Sequence, residues 1–135
     1  MPKSAQRQFL VKVDGVPGYW ARKTGGNISA DASKVYDGGA LQPENVPGPA
    51  QAENVTVGRP YDALRDGPIC AALRQQVGRL TTTVSQTPTD ADLVPIGDPT
   101  VYADALLIGV NEPDADAASS DSATCELIFA IGSWV

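Results

Sequence analysis

The stretch GGNISADASKVYDGGALQPENVPGPAQAE, from Gly25 to Glu53, constrains this chain more than any other. It holds two GG pairs, three prolines and no apolar repeat long enough for a helix. A structureless connection of more than about 12–15 residues is uncommon in a compact domain. In a chain of 135 residues, such a segment is disordered, functional, or ordered by contacts made elsewhere.

Disorder of the whole chain is excluded by composition. The apolar fraction is 42% and the charged fraction 19%, which suits a chain that buries a core. Residues 1–135 therefore read as one domain, with residues 25–52 as its long loop. The net charge of −6 argues against a free-standing nucleic-acid reader, because phosphate binding needs a basic footprint. MPKSAQRQ has no apolar stretch of a signal peptide, and ALLIGV and LIFAIG are too short to span a bilayer. The expectation is a soluble protein made in a cytoplasm, with no membrane partner. Cys70 and Cys125 have no metal-ligand spacing and are expected as buried free thiols.

Alternation marks most of the chain as strand. In QFLVKVDG, Phe9, Val11 and Val13 face one way and Leu10, Lys12 and Asp14 the other. The turn residues DGVPG then predict a hairpin with YWARKTG. ENVTVGRP alternates with Val55 and Val57 on one face and ends at Pro60. RLTTTVSQT, TVYADALLIGV and ATCELIFAIGSWV read as three further strands. One helix is expected, with Asp66 as N-cap, Pro68 in the first turn, an apolar stripe of Ile69, Leu73 and Val77, and Gly78 as its stop.

Both faces of the last two strands are apolar. Leu106, Ile108 and Val110 oppose Ala105 and Leu107, and Leu127, Phe129 and Ile131 oppose Ile128 and Ala130. An antiparallel sheet usually shows one face to water. A helix can cover one face; a second sheet or a second subunit must cover the other. The fold class is thus mainly β with one helix, an antiparallel sandwich-like or barrel segment flanked by that helix.

Catalytic chemistry finds no foothold. The chain has no histidine, the commonest general base and metal ligand. Asp114-x-Asp116 starts like a calcium loop, but Ser119 stands where glycine is needed and Cys125 where glutamate is needed. Asp90 and Asp92 read as a solvated loop pair. No catalytic residue, metal site or cofactor is expected.

The order of elements carries the strongest signal. FLVKVDG, then GG…DGG in the loop, VTVGRPYD and the helix DGPICAALRQQVG follow one another in a way that resembles the phage tail tube (major tail protein) family, including tubes of phage-tail-like injection particles. The resemblance spans almost the whole chain and shows no appended immunoglobulin-like domain. It implies a structural subunit of a virion tail, made in the host bacterial cytoplasm. Such subunits form homohexameric rings that stack into a hollow channel, and sheets of neighbouring copies join around it. It implies as partners other copies of the chain, a tape measure protein, a baseplate or tail tip, and a terminator. DNA passes through during genome ejection without specific binding. An inner tube of a contractile injection system is the alternative within the class, and a monomeric β-sandwich binding module is the alternative outside it.

Particular residues fit this picture or stand out on their own chemistry. Gly25, Gly26, Lys34, Val35, Tyr36, Asp37, Gly38 and Gly39 belong to an inter-subunit arm. Thr81, Thr83 and Ser85 suit a polar channel lining, which would put the Leu106–Val110 face under the helix. Arg59 is a candidate inter-subunit ion-pair donor or a solvated strand end. Trp134 and Trp20 are candidate interface anchors or core packing.

Overall fold

The computed structural model describes residues 3–39 and 41–134. Nine strands and one helix follow in order: β1 (Phe9–Val13), β2 (Arg22–Gly25), β3 (Ile28–Val35), β4 (Glu44–Ala52), β5 (Val55–Pro60), α1 (Ala63–Arg74), β6 (Thr81–Pro88), β7 (Thr100–Asn111), β8 (Thr124–Ala130) and β9 (Ser133–Trp134). Seven of them form one antiparallel sheet in the order β1-β6-β7-β8-β5-β2, with β9 paired to β7. β3 and β4 form a separate two-stranded sheet.

The sheet curls as a half-barrel. Edge strand β1 meets the segment leading into the other edge strand, β2, at one point, where the Trp20 amide donates to the Val11 carbonyl at 2.8 Å. One face is the core. Val13, Val55, Val57, Val84, Ala105, Leu107, Leu127 and Phe129 lie there fully buried, and α1 closes it with Cys70 and Leu73. Strand register aligns these residues across the sheet: Val13 faces Val84, Leu107 faces Phe129, and Phe129 faces Val55.

Several sequence expectations are corrected. β1 does not pair with the strand after the DGVPG turn; β1 pairs with β6 and β2 pairs with β5, on opposite edges of the sheet. The turn spans the curl instead of a tight hairpin. The helix starts earlier than expected. Asp62 is the N-cap, its Oδ1 accepting from the Leu64 and Arg65 amides at 3.1 and 3.4 Å. Pro68 therefore lies inside the helix, and Val77 lies beyond its end and is exposed.

The face assignment on β7 is reversed at Leu106 and Ile108, while Val110, paired with the buried Leu127, packs against the core as expected. Ala105 and Leu107 are the buried pair under α1, while Ile108 is 40% exposed. Two bulges in β7 explain this: the shift against β6 between Tyr102 and Ala105 turns Ala105 and Leu107 to the core, and the shift against β8 at Ile108 turns Val110 back to it. An added residue in a strand re-aims the side chains beyond it. Asp104, at the first bulge, takes a φ of 50°.

The segment 25–52 is the largest correction. It is a long β-hairpin rather than a structureless loop, with Ile28 paired to Ala52 and Val35 to Glu44. Gly25 and Gly26 make its base with φ near 80° (81° and 79°), and Gly39 makes the tip turn with φ 84°. A side chain at Gly25 would strike the Asn54 carbonyl, and one at Gly26 would meet the Tyr102 ring at 2.9 Å. Only glycine satisfies both the backbone angle and the space.

Candidate assembly surfaces

Register fixes which loops share an end of the sheet. β2 and β5 meet at Gly25 and Val55, so the hairpin leaves between those two residues. Val55 faces Phe129 on β8, and Leu107 faces the same Phe129 from β7. The β6–β7 connection lies at this end too, because Pro88 pairs with Phe9 and Gln86 with Thr100. The opposite end holds the Asp14–Gly15 turn, both termini of α1, and the acidic connection between Asn111 and Thr124.

The hairpin has no support from the rest of the chain along its length. No residue of β3 or β4 is buried. Its base is clamped by the Glu53 amide donating to the Asn27 carbonyl at 3.0 Å and by Asn27 Nδ2 donating to Glu53 Oε2 at 3.2 Å. Beyond that, Ile28, Val35, Tyr36, Leu41 and Val46 stand exposed, Tyr36 by 69%. An isolated two-stranded ribbon is marginally stable in water. Lys34, Asp37 and Gly38 sit with Val35, Tyr36 and Gly39 in the outer half of this ribbon.

The sheet edges are a second free surface. β1 and β2 each pair on one side only. Between them lies an open cleft of about 460 Å³, with Phe9 and Val11 on one wall and Arg22–Gly25 on the other. Unpaired edges are templates for another strand unless something covers them.

The sheet face away from α1 is a third. Ser85 pairs with Lys12 and with Val101, and Thr81 with Leu106, so these residues face opposite to the buried Val84. Thr83 points the same way between Thr82 and Val84. Thr24 and Thr56 continue the polar stripe from β2 and β5, beside Ile128. Leu106 and Ile128 interrupt it with half-buried apolar side chains.

Arg59 is placed otherwise than either sequence alternative. It is 3% exposed and both of its terminal nitrogens are bonded inside the chain, while its buried Nε has no hydrogen-bond partner. Its Nη2 donates to Asp66 Oδ1 at 2.6 Å, its Nη1 donates to the Pro17 carbonyl at 2.8 Å, and its guanidinium lies 4.2 Å over the Trp20 ring. Asp66 also accepts from Arg65 Nε and Nη2 and from the Asp62 amide. Burial by itself would raise the Asp66 carboxyl, but the Arg65 hydrogen bonds, the Asp62 amide and Arg59 outweigh it and hold it down at about 2. The hydrogen bond to Asp66 raises Arg65 in turn. This network pins α1, β5 and the Val16–Trp20 turn together. Trp20 is thus core packing, while Trp134 is half-buried against the core and pairs with Tyr102. The signal for Asp66 was legible as a helix-start residue; its ion pair with Arg59 depends on tertiary placement.

Cys70 and Cys125 are free and buried. Burial pushes the Cys70 thiol up to about 11 and raises Cys125 as well. Such thiols are inert. Among the described residues no cluster of His, Cys, Asp and Glu could hold a metal, and no helix is long and apolar enough to cross a membrane.

No known protein family profile matches the chain, and no curated protein matches it. Solved structures do. The chain superposes on a chain of the anti-feeding prophage tube-terminating cap with a TM-score of 0.83 at 16% identity, covering 100% of this chain and 91% of that one. A chain of the PVC extracellular contractile injection system's sheath/tube terminator in the extended state gives 0.80 at 19%, covering 100% and 96%. A chain of the sheath–tube complex of that system gives 0.79 at 19%, covering 97% and 88%. At these identities the likeness is one of fold. The fold implied by the tail tube resemblance, phage-tail-like particles included, is the fold observed.

Proposed function

We propose that this chain is the structural subunit of a tail tube, the inner tube of a contractile, phage-tail-like particle, built as stacked homohexameric rings. The observation that carries the reading is the β3–β4 hairpin, an extended ribbon with exposed apolar side chains and no buried residue. A ribbon like that is stabilised by a partner, and other copies of the chain supply one at no cost in new genes. The unpaired β1 and β2 edges point the same way, since sheets joined around a ring have no edges left.

The fold likeness to tube-assembly chains of contractile injection systems favours the contractile alternative over a tail that ejects DNA. The cargo is then an effector, or DNA if the particle is a phage. The face bearing Thr81, Thr83 and Ser85 is the channel lining of this reading, with Thr24 and Thr56 beside it. The lining is rich in hydroxyls, and of the two cations on this face Arg22 is paired with Glu126, leaving Lys12 as the free charge there among the described residues, a weak footprint for phosphate backbones. Terminator, baseplate or tail tip, and tape measure proteins are the other partners. The work is mechanical, without catalysis.

Mass photometry and negative-stain microscopy of the purified chain test this. Rings with sixfold symmetry, or tubes, are expected as concentration rises. A monomer that stays monomeric at millimolar concentration would sink the reading and leave the lone binding module standing.

A further inference from the structure

The β6–β7 connection shows a feature the tube reading does not use. Leu93, Val94 and Ile96 are exposed together, Ile96 by 62%. The loop that carries them is nevertheless held firmly. Asp90 Oδ1 accepts from the Asp92 and Val94 amides at 2.9 and 3.0 Å, and the Asp90 amide donates to the Val94 carbonyl at 3.0 Å. Thr89 bridges to Pro95, and the Ile96 amide donates to the Pro88 carbonyl at 3.1 Å. Leu93 sits in the left-handed region with φ 61°, which a leucine rarely adopts. A strained, ordered loop presenting three aliphatic side chains to water is a knob without its socket.

A socket of matching chemistry lies on the same chain. A groove of about 220 Å³ opens between α1 and the Asp14–Val16 turn, walled by Val16, Ile69, Ala72, Leu73 and Leu80. That volume takes about two branched aliphatic side chains at interior packing density. Its lining is mostly apolar, with Asp14 and Gln76 at the rim. Arg79 stands next to Leu80 and joins no ion pair among the described residues, while Asp92 and Asp98 flank the knob.

Knob and groove cannot meet within one molecule. Leu80 precedes the start of β6 and the knob follows its end, and β6 is eight residues long. The two features are thus about 25 Å apart along the strand. A surface at one end that fits a surface at the other makes a heterologous contact, the kind that builds rings or filaments.

We infer that the Leu93–Ile96 knob of one copy seats in the α1 groove of the next copy, with Asp92 and Asp98 near its Arg79. This rests on the tube reading only in that both need the chain to associate with itself. The contact adds to the hairpin and uses a different surface.

Cysteine cross-linking of assembled protein tests it. The double variant Ile96→Cys, Ala72→Cys is expected to give covalent dimers and a ladder of higher species under mild oxidation. Each single variant alone gives none, because Cys70 and Cys125 are buried. In a second measurement, Ile96→Asp should raise the critical concentration for assembly at least about tenfold, with monomer melting unchanged. Tubes that form with no cross-link, or an Ile96→Asp chain that assembles like the parent, overturn the inference and leave the tube reading intact. A cross-link from Ile96→Cys to a different protein of the native particle overturns the assignment to a second copy. A parent chain that never associates overturns both.

Discussion

The hairpin and the curled sheet are both antiparallel β structure, yet they are held by different means. The sheet is fixed from within: buried apolar side chains from five strands meet under α1, and the Arg59–Asp66 pair ties helix to strand. The hairpin is fixed only at its base, by two glycines and an Asn27–Glu53 clamp. The same backbone ladder gives a packed body in one place and a ribbon that buries nothing of its own in the other. What separates them is side-chain burial.

The largest effect expected is at the buried pair. Asp66→Ala leaves the Arg59 guanidinium enclosed without its carboxylate, and about 3–5 kcal/mol of stability should go with it. Chemical denaturation would read the loss. A loss under about 1 kcal/mol would mean that the body does not depend on this pair.

Acid should find the same weak point. The Asp66 carboxyl lies at about 2 in the folded chain, below the ordinary value of 3.8, so it stabilises the fold above about pH 4. That contribution, about 2 kcal/mol, is expected to fade as pH falls from about 5 towards 2. Asp66→Asn should flatten this part of the stability profile. An unchanged acid slope in the variant would assign it to other carboxylates.

Gly25→Ala comes next, at about 1–3 kcal/mol, because the backbone there is left-handed and the Asn54 carbonyl occupies the space. Its damage should centre on the hairpin base and appear as faster hydrogen exchange at residues 22–28 and 52–56. Damage spread evenly over β6–β8 would break the distinction between arm and body.

The smallest effect on the monomer is expected in the arm itself. Ile28→Ser and Val46→Ser should change monomer stability by under about 0.5 kcal/mol, since neither side chain is buried. Both should nevertheless weaken assembly. Deleting Lys34–Pro47 should leave the body folded and stop stacking, and the hairpin amides should be protected in the tube far more than in the monomer.

Alternation made the body legible in the sequence. Val11 and Val13, Val55 and Val57, and Leu127 and Phe129 are read correctly because period 2 survives wherever a strand is unbroken. It fails at the two bulges of β7: the one at Asp104 puts Leu107 rather than Leu106 on the core side, and the one at Ile108 turns Val110 back to that side. The hairpin escaped notice for another reason. ISADASKV offers small residues with no apolar face, and Pro47 and Pro49 argue against a strand. Those signals report burial, and a ribbon that buries nothing in its own chain does not write them. Asp66 misled because a capping aspartate and an ion-paired one look alike until Arg59 is placed beside it.

The prolines of β4 have a consequence for growth. Pro47 and Pro49 lie on a strand that pairs only with β3, and proline survives there where its missing N–H faces outward. The two long sides of the ribbon are therefore unequal. One, β3, carries no proline from Ile28 to Val35, and the other, β4, carries two. A ribbon of this kind accepts one neighbouring strand and then stops. In the proposed assembly, this asymmetry would keep crowded copies from zipping into an endless sheet.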